Sequence, residues 1–167
     1  MKYISLFSGI EAATVAWQTL GWEPVAYAEI EPFPKAVLKH HYPNVPDLGD
    51  MTKVNWKEYH HAADVVVGGS PCQAFSIAGL RKALDDPRGQ LMLEYLRACA
   101  EIDPEWIVWE NVPGVLSAEH GRAFQSLLEA VAELWPDGGA HGECWTLSSS
   151  VWPSGASVCS LSSTLET

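Results

Sequence analysis

Short apolar runs that stop at a glycine or an acid recur along this chain, each followed by a stretch of helical period, and that alternation restricts it to few architectures. Tyr3 to Phe7 reads as a buried strand ending in the turn signal Ser8-Gly9. Glu11 to Leu20 follows with helical spacing, with Ala12, Val15, Ala16 and Trp17 forming its apolar face, and Gly21 stands where a helix wants a left-handed terminator. Pro24 to Ala28 predicts the second strand and Pro32 to His41 the second helix, with Pro32 early, where its missing N–H costs nothing. Asp64 to Val67 predicts a third strand that ends in Gly68-Gly69. Gly89 to Glu101 then predicts a helix, Trp106 to Trp109 a strand, and Ala123 to Leu134 a further amphipathic helix. The expectation is an α/β fold, a parallel sheet with helices on both faces.

Composition narrows the function classes. The 167 residues suit one domain, and 47% hydrophobic content with 10% aromatic content argues against disorder. No apolar run approaches the roughly 20 residues that a membrane span needs, and the first residues carry no signal-peptide pattern. A soluble, cytoplasmic protein with no membrane partner is expected. The four cysteines, Cys72, Cys99, Cys144 and Cys159, have neither metal-ligand spacing nor the density of a disulfide scaffold, so no metal is expected and each is read as a free thiol. The formal net charge of -11 has the wrong sign for a protein whose affinity comes from neutralising phosphates.

In open parallel sheets ligands sit beyond the carboxyl ends of the strands, and four strand ends here carry suggestive residues. In Phe7-Ser8-Gly9-Ile10-Glu11 a glycine lets the backbone approach a ligand, although an ordinary tight turn fits the same residues. No GxGxxG is present, which disfavours a dinucleotide. Glu29, ending the second strand, sits where an acid accepts from ribose hydroxyls; Glu29 and Glu31 equally fit a solvated loop. Asp50 stands where it can accept from an adenine amino group. In Gly68-Gly69-Ser70-Pro71-Cys72-Gln73-Ala74-Phe75-Ser76 a thiol follows a strand and a proline, placed for attack rather than packing. Glu110, in Trp109-Glu110-Asn111-Val112-Pro113, is an acid ending an apolar strand, where a raised pKa suits proton donation.

These pieces, in this order, resemble the DNA cytosine-5 methyltransferase family of phage and bacterial type. The resemblance rests on Phe7-x-Gly9, Pro71-Cys72-Gln73, Asp86-Pro87-Arg88-Gly89 and Glu110-Asn111-Val112, and covers roughly residues 3 to 135. It implies a Rossmann-like S-adenosylmethionine-dependent methyltransferase fold. It also implies S-adenosyl-L-methionine as cofactor, double-stranded DNA as partner, and a setting in restriction-modification or phage protection. By resemblance Phe7, Gly9, Ile10, Glu11, Glu29, Asp50 and Leu91 line the cofactor pocket, and Pro71, Gln73, Ser76 and Arg88 belong to the substrate loop. Cys72 is the implied nucleophile, adding to carbon 6 of a flipped cytosine, and Glu110 the acid at ring nitrogen 3. Glu11 and Ala12 stand where many members carry glycines, so the first loop is a variant.

The resemblance stops short of the C-terminus. Residues 1–136 are expected to form the core, and 137–167 an aberrant tail rich in Ser, Thr and Gly, without strand or helical period. The fold is thus expected to be incomplete, lacking its last strands and its target-recognition domain. An out-of-frame translation accounts for such a tail. When each codon's third base is read with the next codon's first two, the Trp145–Thr146 junction gives Asp and the Trp152–Pro153 junction gives Ala. With permitted codons elsewhere, His141 onward can read WRVLDAQFVRVAQRRERVFVV, which supplies the family's Arg-rich element. Two rival readings remain: an inactive remnant, and a tRNA cytosine-5 methylase built from the same catalytic pieces.

Overall fold

A computed structural model describes residues 1–70, 87–112, 114–136, 139–146 and 157–164, without the side chains of 87–90, 117–119, 123, 139–146 and 157–164. Six strands form one sheet: β1 (Lys2–Leu6), β2 (Glu23–Ala28), β3 (Val65–Gly68), β4 (Trp106–Asn111), β5 (Gly139–Thr146) and β6 (Ser157–Thr164). Their order is β2-β1-β3-β4-β6-β5. The first four run parallel, as the alternation predicts. The chain leaves β1 toward β2 on one side and returns to β3 on the other, so β1 lies at the point where a parallel sheet opens a crevice.

The helices are α1 (Ala12–Trp17), α2 (Pro32–His41), α3 (Pro87–Ile102), α4 (Gly114–Ser117) and α5 (Arg122–Leu134). All but α4, which the sequence reading did not foresee, match predicted segments to within about two residues, except that the first predicted helix tightens into a 3-10 turn over Gln18–Leu20 before Gly21. Alternation along the strands divides the core between two faces. Tyr3, Tyr27 and Val65 point to the face covered by Leu38 of α2. Ile4, Leu6, Val66, Ile107 and Trp109 point to the other, against Tyr95, Leu96 and Cys99 of α3 and Leu127 of α5.

Two expectations need correction. The tail is not without strands: β5 and β6 pair antiparallel, and β6 continues the sheet on the edge of β4, from Trp106 opposite Thr164 to Asn111 opposite Cys159. Serines and threonines hide strand period in sequence, yet backbone pairing to a ready sheet edge needs no apolar pattern. Of the apolar face assigned to the first helix only Trp17 packs inward, its ring edge-on to Tyr3 with centroids 5.0 Å apart. Ala12, Val15 and Ala16 are exposed, and the buried residue of α1 is Thr14. Its hydroxyl bonds to both Tyr3 and Tyr27, the latter at 2.8 Å, so a polar knot joins the Trp17 contact beneath α1.

Thr14→Val is isosteric but leaves both tyrosine hydroxyls without their shared partner inside the protein. We expect it to cost about 1–3 kcal/mol in urea unfolding, whereas Val15→Ala, at an exposed position, should change stability by less than about 0.5 kcal/mol.

Candidate active site

The carboxyl ends of β1 and β2 are stapled by one side chain. Glu29, buried just past β2, accepts from the Gly9 N–H at 2.7 Å through Oε2. Its Oε1 accepts from the N–H groups of Ile30 and Glu31, both at 2.8 Å. A carboxylate has about four acceptor sites, so three backbone donors leave one for a ligand hydroxyl. Asp47 holds the backbone around Glu29: its Oδ1 accepts from the Glu29 N–H at 3.2 Å and the Gly49 N–H at 3.0 Å, and its Oδ2 pairs with Lys35. The Lys35 ammonium also donates to the Glu29 carbonyl at 3.0 Å.

The first loop turns back on itself through three left-handed residues, Phe7 (φ 54), Gly9 (φ 56) and Glu11 (φ 71). Only glycine adopts that conformation without penalty, so Phe7 and Glu11 are held there by their surroundings. For Glu11 the holding contact is a helix cap, since Oε1 accepts from the Thr14 N–H at 3.0 Å. Its Oε2 has no hydrogen-bond partner among the described residues, and burial pushes the carboxyl pKa up, against the lowering effect of Ser5 and Thr14.

Beside this loop lies a cleft of about 250 Å³ lined by Phe7, Glu29, Asp50, Met51 and Leu91, among others. The volume falls below the ~300 Å³ at which most small-molecule sites begin, and it suits a nucleoside end of a ligand. Apolar walls with two acids at the rim match a flat base and its hydroxyl or amino donors. Asp50 is fixed by Lys53 at 2.8 Å and by Thr52, whose N–H and hydroxyl it accepts at 3.1 Å and 2.7 Å, and these bonds lower its pKa to about 2. Of the predicted cofactor residues, Phe7, Glu29, Asp50 and Leu91 face this cleft and Gly9 contributes through Glu29. Ile10 is exposed and lies outside the lining of this nucleoside-sized cleft, and Glu11 turns inward to cap α1. A larger groove of about 660 Å³ runs along α2, past Lys35, Lys39 and Tyr42, away from most of the strand ends that carry the site.

The second half of the site lies at the ends of β3 and β4. A methyl group on Gly69 would overlap the Glu110 carboxylate and stand 3.1 Å from the Glu110 carbonyl, so only glycine lets that carboxyl lie against the β3 turn. Burial raises the pKa of Glu110 even though part of its side chain reaches solvent. Asn111 locks the two ends together, its Nδ2 donating to the Ser70 carbonyl at 2.9 Å and its Oδ1 accepting from the Val112 N–H at 2.9 Å. The Trp109 indole donates to the Ser70 hydroxyl at 3.0 Å. Pro71, Cys72, Gln73 and Ser76 lie outside the described residues; Arg88 is in α3, its side chain not described.

Sequence reading missed Lys35, Asp47 and the bracing role of Asn111. Asp47 left a signal, standing two residues before a left-handed glycine as turn-forming acids do. Lys35 left none, because its partners are brought to it by the fold.

A sheet whose first four strands run parallel, with an acid-rimmed cleft at the β1/β2 ends and a carboxyl held against a glycine turn at the β3/β4 ends, is the architecture of a Rossmann-like fold. The profile of the C-5 cytosine-specific DNA methylases matches residues 1–134, and the chain belongs to that family. It is 35% identical over 140 residues to the Type II methyltransferase M.AquIA of Picosynechococcus, covering 79% of this chain and 56% of that protein. It is 52% identical over 142 residues to a DNA N-6-adenine-methyltransferase of Escherichia phage P1, covering 78% of this chain and 19% of that protein. A proposed DNA modification methyltransferase encoded within an E. coli prophage superposes with a TM-score of 0.78 at 21% identity, over 99% of this chain and 47% of that one. The chain thus spans less than two thirds of the length of these relatives. No helix among the described residues is long and apolar enough to cross a membrane.

The raised Glu11 pKa has a stability consequence with a definite sign. Below the ordinary carboxylate pKa both folded and unfolded chains hold the proton, and the favourable neutral form is fully present. As pH rises through the folded value that contribution is lost. Glu11→Gln should therefore flatten the decline in stability across this range, measured as urea midpoints at stepped pH; an unchanged slope would place the titration elsewhere.

Proposed function

We propose that this chain is the cofactor-binding and catalytic part of a DNA cytosine-5 methyltransferase, with Cys72 as nucleophile and Glu110 as acid. The observation that carries the reading is the Glu110 carboxyl, partly desolvated against Gly69 at the turn that leads within three residues to Cys72. S-adenosyl-L-methionine, when bound, supplies an electrophilic methyl group; Phe7, Met51 and Leu91 fit its adenine, with Glu29 and Asp50 as acceptors for its hydroxyl and amino donors.

The protein's own chemistry follows from the weakness of cytosine carbon 5 as a nucleophile. The base leaves the stack at a cost of about a few kcal/mol. The Cys72 thiolate forms a bond to carbon 6 while Glu110 gives its proton to ring nitrogen 3, so that carbon 5 becomes enamine-like. After transfer, loss of the carbon 5 proton expels the Cys72 thiolate. A raised pKa keeps Glu110 protonated to higher pH than an ordinary glutamate, as the donor role requires.

The phage P1 relative favours a second reading, methylation of adenine N6. The match spans a fifth of that protein, so its name covers a chain most of which lies outside the similarity. Adenine N6 already carries a lone pair and needs no covalent activation, whereas Cys72 after Pro71 has a task only in the cytosine reaction. A tRNA substrate uses the same catalytic pieces. An inactive remnant would bind cofactor without transferring methyl.

For residues 137–167 we propose the out-of-frame origin. The alternate frame places WRVLDA at 141–146 and RVFVV at 157–161, within the positions that β5 and β6 occupy here. Nucleotide sequence through codons 136–167 tests it: a stop codon or missing arginine codons in that frame would rule it out.

Incubating the full chain with labelled cofactor and DNA or tRNA, then digesting to nucleosides, should yield 5-methylcytosine from DNA. N6-methyladenine would overturn the cytosine assignment, methylated tRNA the substrate, and cofactor binding without product the catalytic reading. Cys72→Ser should abolish product while retaining cofactor. Glu110→Gln should cut the rate by about 10²–10⁴-fold and remove the loss of rate seen in the parent as pH rises through the Glu110 pKa. Gly69→Ala should behave like a milder Glu110 lesion, because the carboxyl is displaced toward water.

A further inference from the structure

At the opposite, amino-terminal edge of the sheet, two loops far apart in sequence meet. His60 and His61 precede β3, and Asp103 lies between α3 and β4. A ring nitrogen from each histidine and a carboxylate oxygen of Asp103 all lie within 4.8 Å of one another. The His61 Nε2 stands 3.7 Å from Asp103 Oδ2, and the two imidazoles are 3.9 Å apart between centroids.

The Nδ1 of His60 lies 3.1 Å from the Glu101 carbonyl and the Nδ1 of His61 lies 3.2 Å from the Asp103 carbonyl. A carbonyl only accepts, so each ring is held in the tautomer that carries its proton on Nδ1 and its lone pair on Nε2. Carbonyl contacts of this kind are what orient metal-binding imidazoles. The His61 N–H also donates to the Ile102 carbonyl at 2.8 Å, tying the loops together before any ligand arrives. Both His61 (φ 54) and Asp103 (φ 55) are held in the left-handed region, a cost the chain bears at the two residues that face each other.

We propose that His60, His61 and Asp103 form a binding site for a first-row transition-metal dication, Zn²⁺ being the natural occupant, which clips the β3 and β4 entry loops together. Two imidazoles and one carboxylate are a donor set that Zn²⁺, Co²⁺ and Ni²⁺ accept at about 2.0–2.2 Å, leaving outer positions for water. Ligands bound at those lengths lie roughly 3–3.5 Å apart around a tetrahedral ion; the 3.7 Å between His61 Nε2 and Asp103 Oδ2 is near that span, and the cluster as a whole, within 4.8 Å, contracts on binding. The exposed setting makes this a surface clip remote from the strand ends that carry the candidate active site.

The full chain titrated with Zn²⁺ in a calorimeter should bind one equivalent. Asp103→Asn and His61→Asn, both tolerant of a left-handed backbone, should each weaken binding at least about tenfold, the size of one lost ligand. The metal-free thermal midpoint of Asp103→Asn, which keeps the Asp103 carbonyl that His61 contacts, should match the parent. His40→Ala/His41→Ala, which removes the other adjacent histidine pair, should leave affinity unchanged. Co²⁺ should give visible bands without a thiolate charge-transfer band. Absence of binding, affinity insensitive to Asp103→Asn and His61→Asn, loss of binding with His40 and His41, or a thiolate band placing the ion on cysteine would each overturn the proposal.

Discussion

The Glu29 carboxylate is the contact on which the cleft at the β1 and β2 ends depends. Three backbone N–H groups converge on it from the loops after β1 and β2, and without it those donors would sit in a part-buried crevice with nothing to bond. Asp47 and Lys35 in turn fix the backbone that carries Glu29. The acid is therefore structural first, and what its bonding leaves open to a ligand is one lone pair presented at a rigid place. That is a stricter arrangement than a free carboxylate with both oxygens open.

The other half of the site rests on an absence of atoms. Gly69 has no side chain, so Glu110 can lie against the β3 turn, where partial desolvation raises its pKa. Asn111 and Trp109 then tie the same turn to β4 through Ser70. The residues leading to Cys72 thus leave the sheet from a point fixed by three neighbours on the adjacent strand. If this is the catalytic end of the site, as proposed, such geometry tolerates little displacement, and bracing from a strand gives more precision than a loop could.

Backbone strain gathers at both edges of the sheet. Phe7, Gly9 and Glu11 bend the cofactor loop, while His61 and Asp103 bend the two entry loops at the far edge. Glu11, His61 and Asp103 are each held by hydrogen bonds that offset the conformational cost. The polar knot of Thr14 with Tyr3 and Tyr27 plays the same part under α1, where a short helix with exposed alanines and valine has little apolar burial to hold it.

The alternation of apolar runs with helical stretches was enough to determine the parallel sheet, the helix positions and the strand ends where Phe7, Glu29, Asp50 and Glu110 stand, because periodicity and terminal residues are local properties. The role proposed for Cys72 rests on the few residues around it in sequence, Pro71-Cys72-Gln73, which lie outside the described residues. Whether a side chain faces the cleft was not legible. Glu11 turned inward because a left-handed backbone aimed its carboxyl at the start of α1, and Thr14 rather than Val15 became buried because two tyrosines from β1 and β2 meet there. The β5–β6 hairpin escaped detection because its pairing is made by backbone groups that every residue carries. The meeting of His60 and His61 with Asp103 joins residues more than 40 positions apart, and only the sheet that sets β3 beside β4 brings them together.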